Sequence, residues 1–103
     1  MIQREVRVQE GAVLDLREAM TFYERQKKNL GDYFVDSLIV DLESLSFYAG
    51  IHSKKFGCFR MCAKRFPFAI YYDIVEDVVQ VIGVLHMKRR PAWNRNILKI
   101  RRR

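Results

Sequence analysis

Charged and apolar residues alternate across residues 4–9 (REVRVQ), the period-two pattern of a short strand. Glu10-Gly11 breaks it, and over residues 12–29 the period changes. Leu16, Ala19, Met20 and Tyr23 recur at i, i+3, i+4 and i+7, which predicts one apolar stripe of a helix. KKNLGD closes that helix, with Lys27 and Lys28 against its dipole and Gly31 expected just past its end. Asp32 is then placed to cap a second helix, whose broad apolar face holds Phe34, Val35, Leu38, Ile39, Leu42 and Leu45. So short a link folds the two helices back as a hairpin.

Residues 49–55 (AGIHSKK) read as a loop. Three strand-like runs follow, at 56–64, 66–75 and 78–86. The last two flank Glu76-Asp77 and predict a hairpin. Neither residue is the glycine that a tight primed turn prefers, so a longer or type I turn is expected. The order β-α-α-β-β-β predicts an α+β fold with the helical hairpin on one face of a mostly antiparallel sheet. The whole chain, 1–103, reads as a single domain. Its end, 91–103, forms a basic tail or short helix, with Pro91 at N1 and Trp93, Ile97 and Ile100 in one stripe. The terminal arginines are expected to fray.

A three-strand meander reverses twice, so the ends of its first and third strands share one border. Centring the hairpin between Glu76 and Asp77 pairs residues whose numbers sum to 153 and sets His86 opposite Pro67. The cations of HMKRRP then join Lys64 and Arg65 in one basic rim, and a slip of a residue or two leaves the rim intact. Phe59, Met61 and Ala63 point inward. Cys58, Arg60, Cys62 and Lys64 therefore share the other face, which no helix is expected to cover. Arg60 there is either the floor of a concave site or a solvated cation whose stem covers apolar neighbours.

Composition sharpens this picture. The formal net charge is +7, unevenly spread: residues 1–50 hold 6 Lys+Arg against 9 Asp+Glu, and residues 51–103 hold 13 against 3. A basic half on a mildly acidic body suits an anionic partner. No apolar run approaches the ~18 residues of a membrane span. The charged N-terminus lacks a signal-peptide core, so the default location is cytoplasmic. Cys58 and Cys62, four apart on one strand face, are about 13 Å distant at ~3.3 Å per residue. They cannot pair, and with two histidines they do not make a zinc set; both read as small hydrophobes. No metal and no cofactor is called for.

Five short motifs then follow in order: Ala19, Phe22, Tyr23 and Glu24; Leu30, Gly31 and Phe34; RFPFAIYY from Arg65 to Tyr72; Leu85, His86 and Arg89; Pro91 and Trp93. Together they resemble the RelE/ParE superfamily of bacterial toxins, and the ParE-like branch in particular. Trp93 matches that pattern only approximately, and Lys88-Arg89-Arg90 is more basic than it. The loop AGIHSKKFG lacks the proline often found there.

That resemblance implies the toxin of a type II toxin–antitoxin module, of plasmid-stabilization type. It would bind a large target such as DNA gyrase and be neutralised by an acidic antitoxin, through which it could oligomerise. Lys64, Arg65, Lys88, Arg89 and Arg90 are the expected target-binding residues. Phe22, Tyr23, Val35 and Ile39 are the expected antitoxin-binding residues. A RelE-like alternative is a ribosome-dependent mRNA endoribonuclease. It would use His86 as base, Arg60, Lys64, Arg65 or Arg90 toward phosphate, and Tyr71 or Tyr72 as proton donor or stacking ring, with His86, Arg60, Arg65 and Tyr72 the leading set. A second alternative is a non-toxic antitoxin-binding module. His52, Glu24 and Arg25 are read as loop and solvated-face residues.

Overall fold

The computed structural model describes residues 3–102. Its order is β1 (Glu5–Val8), α1 (Glu10–Gln26), α2 (Leu30–Tyr48), β2 (Lys54–Lys55), β3 (Cys58–Cys62), β4 (Phe68–Val75), β5 (Val78–His86) and α3 (Pro91–Arg101). The strands form one sheet in the order β1-β5-β4-β3-β2. β1 runs parallel to β5, and the other pairs are antiparallel. The α+β class and the helix hairpin are as expected. The two-residue β2 is additional; it pairs with β3 across a tight Phe56-Gly57 turn in which both residues have positive φ.

Side-chain alternation splits the core in two. Tyr72, Ile70, Val79, Val81 and Val84 face α1 and α2, where they meet Phe34, Leu38 and Leu45. Tyr71, Ala69, Ile82 and Leu85 face the other way, against Leu98 of α3 and Cys58 of β3. The second face is therefore covered, contrary to expectation. α3 buries Asn94 and Leu98 rather than Trp93 and Ile100, which are exposed. Three contacts set this rotation. Leu98 fills the space above Gly83, Asn94 Nδ2 donates to His86 O, and Arg101 reaches Asp15.

The junction between the helices also departs from the sequence reading. α1 starts earlier and ends at Gln26. Asn29, not Gly31, takes the left-handed conformation (φ 71°) and precedes α2. Gly31 lies inside the first turn of α2, where a Cβ would come within 2.7 Å of Met20 O on α1. Its role is close helix approach rather than helix termination. The donors exposed at the start of α2 are met by Glu24, whose carboxylate accepts from Asn29 N and Gly31 N at 2.9 and 3.0 Å. Glu24 is thus a helix cap rather than the solvated-face residue its sequence position suggests.

The β4–β5 turn is tight after all. Val75 pairs with Val78, and Glu76 and Asp77 both have positive φ, 51° and 65°, the I′ pattern without glycine. Paired numbers sum to 153 from Val75↔Val78 to Tyr72↔Val81. A bulge between Tyr71 and Tyr72 then adds one residue, so His86 faces Phe68 rather than Pro67.

Candidate functional site

β4 and β5 bring two cationic segments to the same end of the sheet. The turn carrying Lys64 and Arg65 lies between β3 and β4, and Lys88, Arg89 and Arg90 follow β5. All five are exposed. Met87 N donates to Pro67 O at 2.9 Å, stitching one segment to the other. The one-residue slip at the bulge does not disturb this, because both segments remain beyond the last β4–β5 pair.

This end is rigidly supported. Phe66, next to Arg65, inserts its ring among Tyr23, Phe34 and Tyr33, with centroids 4.9, 4.9 and 5.7 Å away. The loop amide Lys64 N donates to Asp41 Oδ2 at 3.1 Å, and Asp41 is a buried carboxylate of α2. Ala63 N donates to Phe68 O, closing the turn. The aromatic cluster and the buried acceptor thus fix the backbone, while the two cationic heads remain in water. Beyond β5, the Arg89 guanidinium lies over the Trp93 ring at 5.9 Å.

His86 belongs to this end but is engaged. Its Nδ1 accepts from Lys88 N at 3.0 Å, which leaves the ring proton on Nε2. Burial, followed by the charges of Lys88 and Arg89, lowers its pKa. The ring meets Phe68 edge-on at 5.1 Å. A neutral imidazole whose only free nitrogen atom has no lone pair to offer is poorly set as a base.

Of the other nuclease candidates Arg65 shares this end, but Tyr72 and Arg60 do not converge with His86. Tyr72 is fully buried on the α1/α2 face, where its hydroxyl is held by His52 Nδ1 and by Gly50 N. Burial is the main cause raising the Tyr72 pKa and lowering that of His52. Arg60 pairs across to Tyr71 and so points to the α3 face, away from His86 and Tyr72. Arg65 stands at the exposed turn. The set His86, Arg60, Arg65 and Tyr72 is therefore spread over both faces of the sheet. Arg60 is half-buried, and its Nε is shielded from water with no hydrogen-bond partner.

The expected antitoxin-binding set also divides. Phe22 and Ile39 are exposed, whereas Tyr23 and Val35 pack against the core. Phe22 lies in a shallow groove along α1 with Arg17, Thr21 and Arg25. Cys58 and Cys62 are free thiols; burial pushes the Cys58 thiol up to about 11, which keeps it protonated and inert. Among the described residues, no cluster of His, Cys, Asp or Glu could hold a metal ion, and no helix is long and apolar enough to cross a membrane.

The most consequential polar site was missed in the sequence. Beyond Val8, β1 gives way to α1, so the edge of β5 loses its strand partner. Asp15 Oδ2 takes up Val84 N at 2.9 Å, and Arg101 Nη1 donates to Ile82 O at 3.2 Å. The two side chains meet through a bidentate pair of 2.6 and 2.9 Å. Arg102 pairs with Asp73 at 3.0 Å, so Arg101 and Arg102 are held rather than frayed. Arg103 lies outside the described residues.

By sequence, no protein-family model and no curated protein matches the chain. Solved structures do match it in fold. A chain of the chromosomal ParDE TA system from P. aeruginosa superposes with a TM-score of 0.76 at 15% identity, over 84% of this chain and 98% of that one. A doubly substituted RelE toxin of E. coli in the free state gives 0.50 at 15% identity, over 96% and 99%. The chain thus shares its α+β fold with these ParDE and RelE structures, as the motifs implied.

Proposed function

We propose that this chain is the toxin of a type II toxin–antitoxin module and acts in the ParE manner, by binding a macromolecular target such as DNA gyrase. The observation that carries this reading is the rigid end of the sheet on which Lys64, Arg65, Lys88, Arg89 and Arg90 stand together, exposed. A surface of that kind binds an anionic or acidic target without chemistry. The higher structural similarity to the ParDE chain supports the same branch. So does the engagement of His86 and Tyr72 in internal hydrogen bonds. An acidic antitoxin would neutralise the cations while its apolar side chains cover Phe22 and Ile39.

The RelE-like reading keeps Arg60 as a candidate cation, since its half-buried side chain has no internal partner at Nε, although that atom is shielded and would have to be uncovered to meet phosphate. Inducing the chain alone and following growth, mRNA integrity and gyrase-linked DNA breaks separates the readings. Arrest with DNA breaks and intact mRNA supports the ParE-like one. Cuts in mRNA on translating ribosomes support the other. Unimpaired growth leaves a non-toxic antitoxin-binding module.

A further inference from the structure

Two helices of this chain carry exposed apolar ridges of the same pitch and opposite charge. On α2, Tyr33, Val40 and Phe47 recur every seven residues, and all three are exposed. Seven residues of helix span about 10.5 Å, close to two turns. Exposed Asp36 and Glu43 flank this ridge, and α2 contains no Lys or Arg. On α3, Trp93 and Ile100 also stand seven residues apart, 59% and 63% exposed. Lys99 and the guanidinium of Arg89 border them.

We infer that the α3 ridge of one copy docks on the α2 ridge of a second, in a head-to-tail contact. Trp93 and Ile100 are spaced to seat beside successive members of the Tyr33–Val40–Phe47 row, bringing the α3 cations against Asp36 and Glu43. The alternative two-fold pairing of α2 with α2 would set acids against acids, and that of α3 with α3 cations against cations. Charge therefore selects the heterologous arrangement over either symmetric one. The two ridges lie on opposite sides of the sheet, α2 over one face and α3 over the other, so a pair of copies cannot make both α3-on-α2 contacts at once and each keeps one donor and one acceptor surface. This association is independent of the toxin reading above. Where both hold, α3 docking would bury Trp93 beside the cationic end and mask part of it.

The test uses the full chain and two single variants at exposed positions, Val40→Glu and Trp93→Glu, each checked for an unchanged circular dichroism spectrum and melting curve. Sedimentation equilibrium up to about 1 mM covers the range of weak contacts. The wild-type chain should rise in mass with concentration past the dimer. Each variant alone should stay at the monomer mass of 12.3 kDa. Mixed, the two should form a one-to-one complex that grows no further, because each supplies the face the other lacks. A monomeric wild type overturns the inference. So does a variant that still assembles alone, the mark of a symmetric contact, or a mixture that stays monomeric.

Discussion

Asp15 and Arg101 lie 86 positions apart in the sequence and meet in a bidentate ion pair at the free edge of β5. The same carboxylate accepts Val84 N, and the same guanidinium donates to Ile82 O. One pair thus replaces a strand where β1 stops, and pins α3 over the second face of the sheet. Gly11 and Gly83 make room for it, since the Arg101 side chain passes within 2.6 and 3.2 Å of where their Cβ atoms would be.

Removing Asp15 leaves a strand amide without an acceptor and a partly buried cation with only the Ile82 carbonyl to donate to. Asp15→Ala should cost about 2–4 kcal/mol, in the range for breaking a shielded pair. Urea unfolding checks the magnitude. Asp15→Ala combined with Arg101→Ala should cost less than the sum of the two single changes. Simple additivity would show that the pair does not couple.

Gly31→Ala sets two effects against each other. Helix propensity alone would stabilise by roughly 0.5–1 kcal/mol. The new Cβ, however, meets the Met20 carbonyl at 2.7 Å, a backbone atom that moves only if α1 moves. The clash should win, with a net loss of about 1–3 kcal/mol. A raised melting temperature would contradict this.

Glu24→Ala removes both side-chain acceptors at the start of α2. A loss of about 1 kcal/mol is expected, typical of a helix cap. Glu24→Gln should recover part of it, because its amide oxygen can still accept from one of the two amides. Equal losses in the two variants would point to charge rather than hydrogen bonding.

Both histidines have pKa values lowered below 6.5, principally by burial. The unfolded chain therefore binds protons first as the solution is acidified. Their contribution to stability is complete above about pH 6.5 and is lost as pH falls through the lower folded values. Unfolding free energy should decline from pH 7.5 to pH 5, and His52→Gln with His86→Gln should flatten that decline. An identical slope in the double variant would exclude the histidines as its cause.

Much of the fold was legible because periodicity is a local property. The alternation of REVRVQ and the helical stripe through Leu16 and Tyr23 reported their own elements. The meander placed Lys64 and Arg65 beside Arg89 and Arg90 whatever the exact register. The unread features depend on partners distant in sequence. The Tyr71/Tyr72 bulge shifts His86 by one position, and no local pattern announces it. Asp15 and Glu24 look like surface acids until the β5 edge and the α2 N-terminus are placed against them. α3 was seen as a possible helix, but the face it buries depends on Gly83 and Arg101 rather than on its own most apolar stripe. Tyr72 looked available for chemistry because its partner, His52, sits in a loop twenty residues away.

Growth arrest on inducing charge-reversed variants tests the working surface most directly. With the cationic end of the sheet binding the target, Arg89→Glu combined with Arg90→Glu should abolish arrest. His86→Gln and Tyr72→Phe, once shown to fold, should still stop growth. Arrest that survives the double reversal but disappears with His86→Gln, together with mRNA cut on ribosomes, would contradict binding through the cations and place acid–base chemistry there instead.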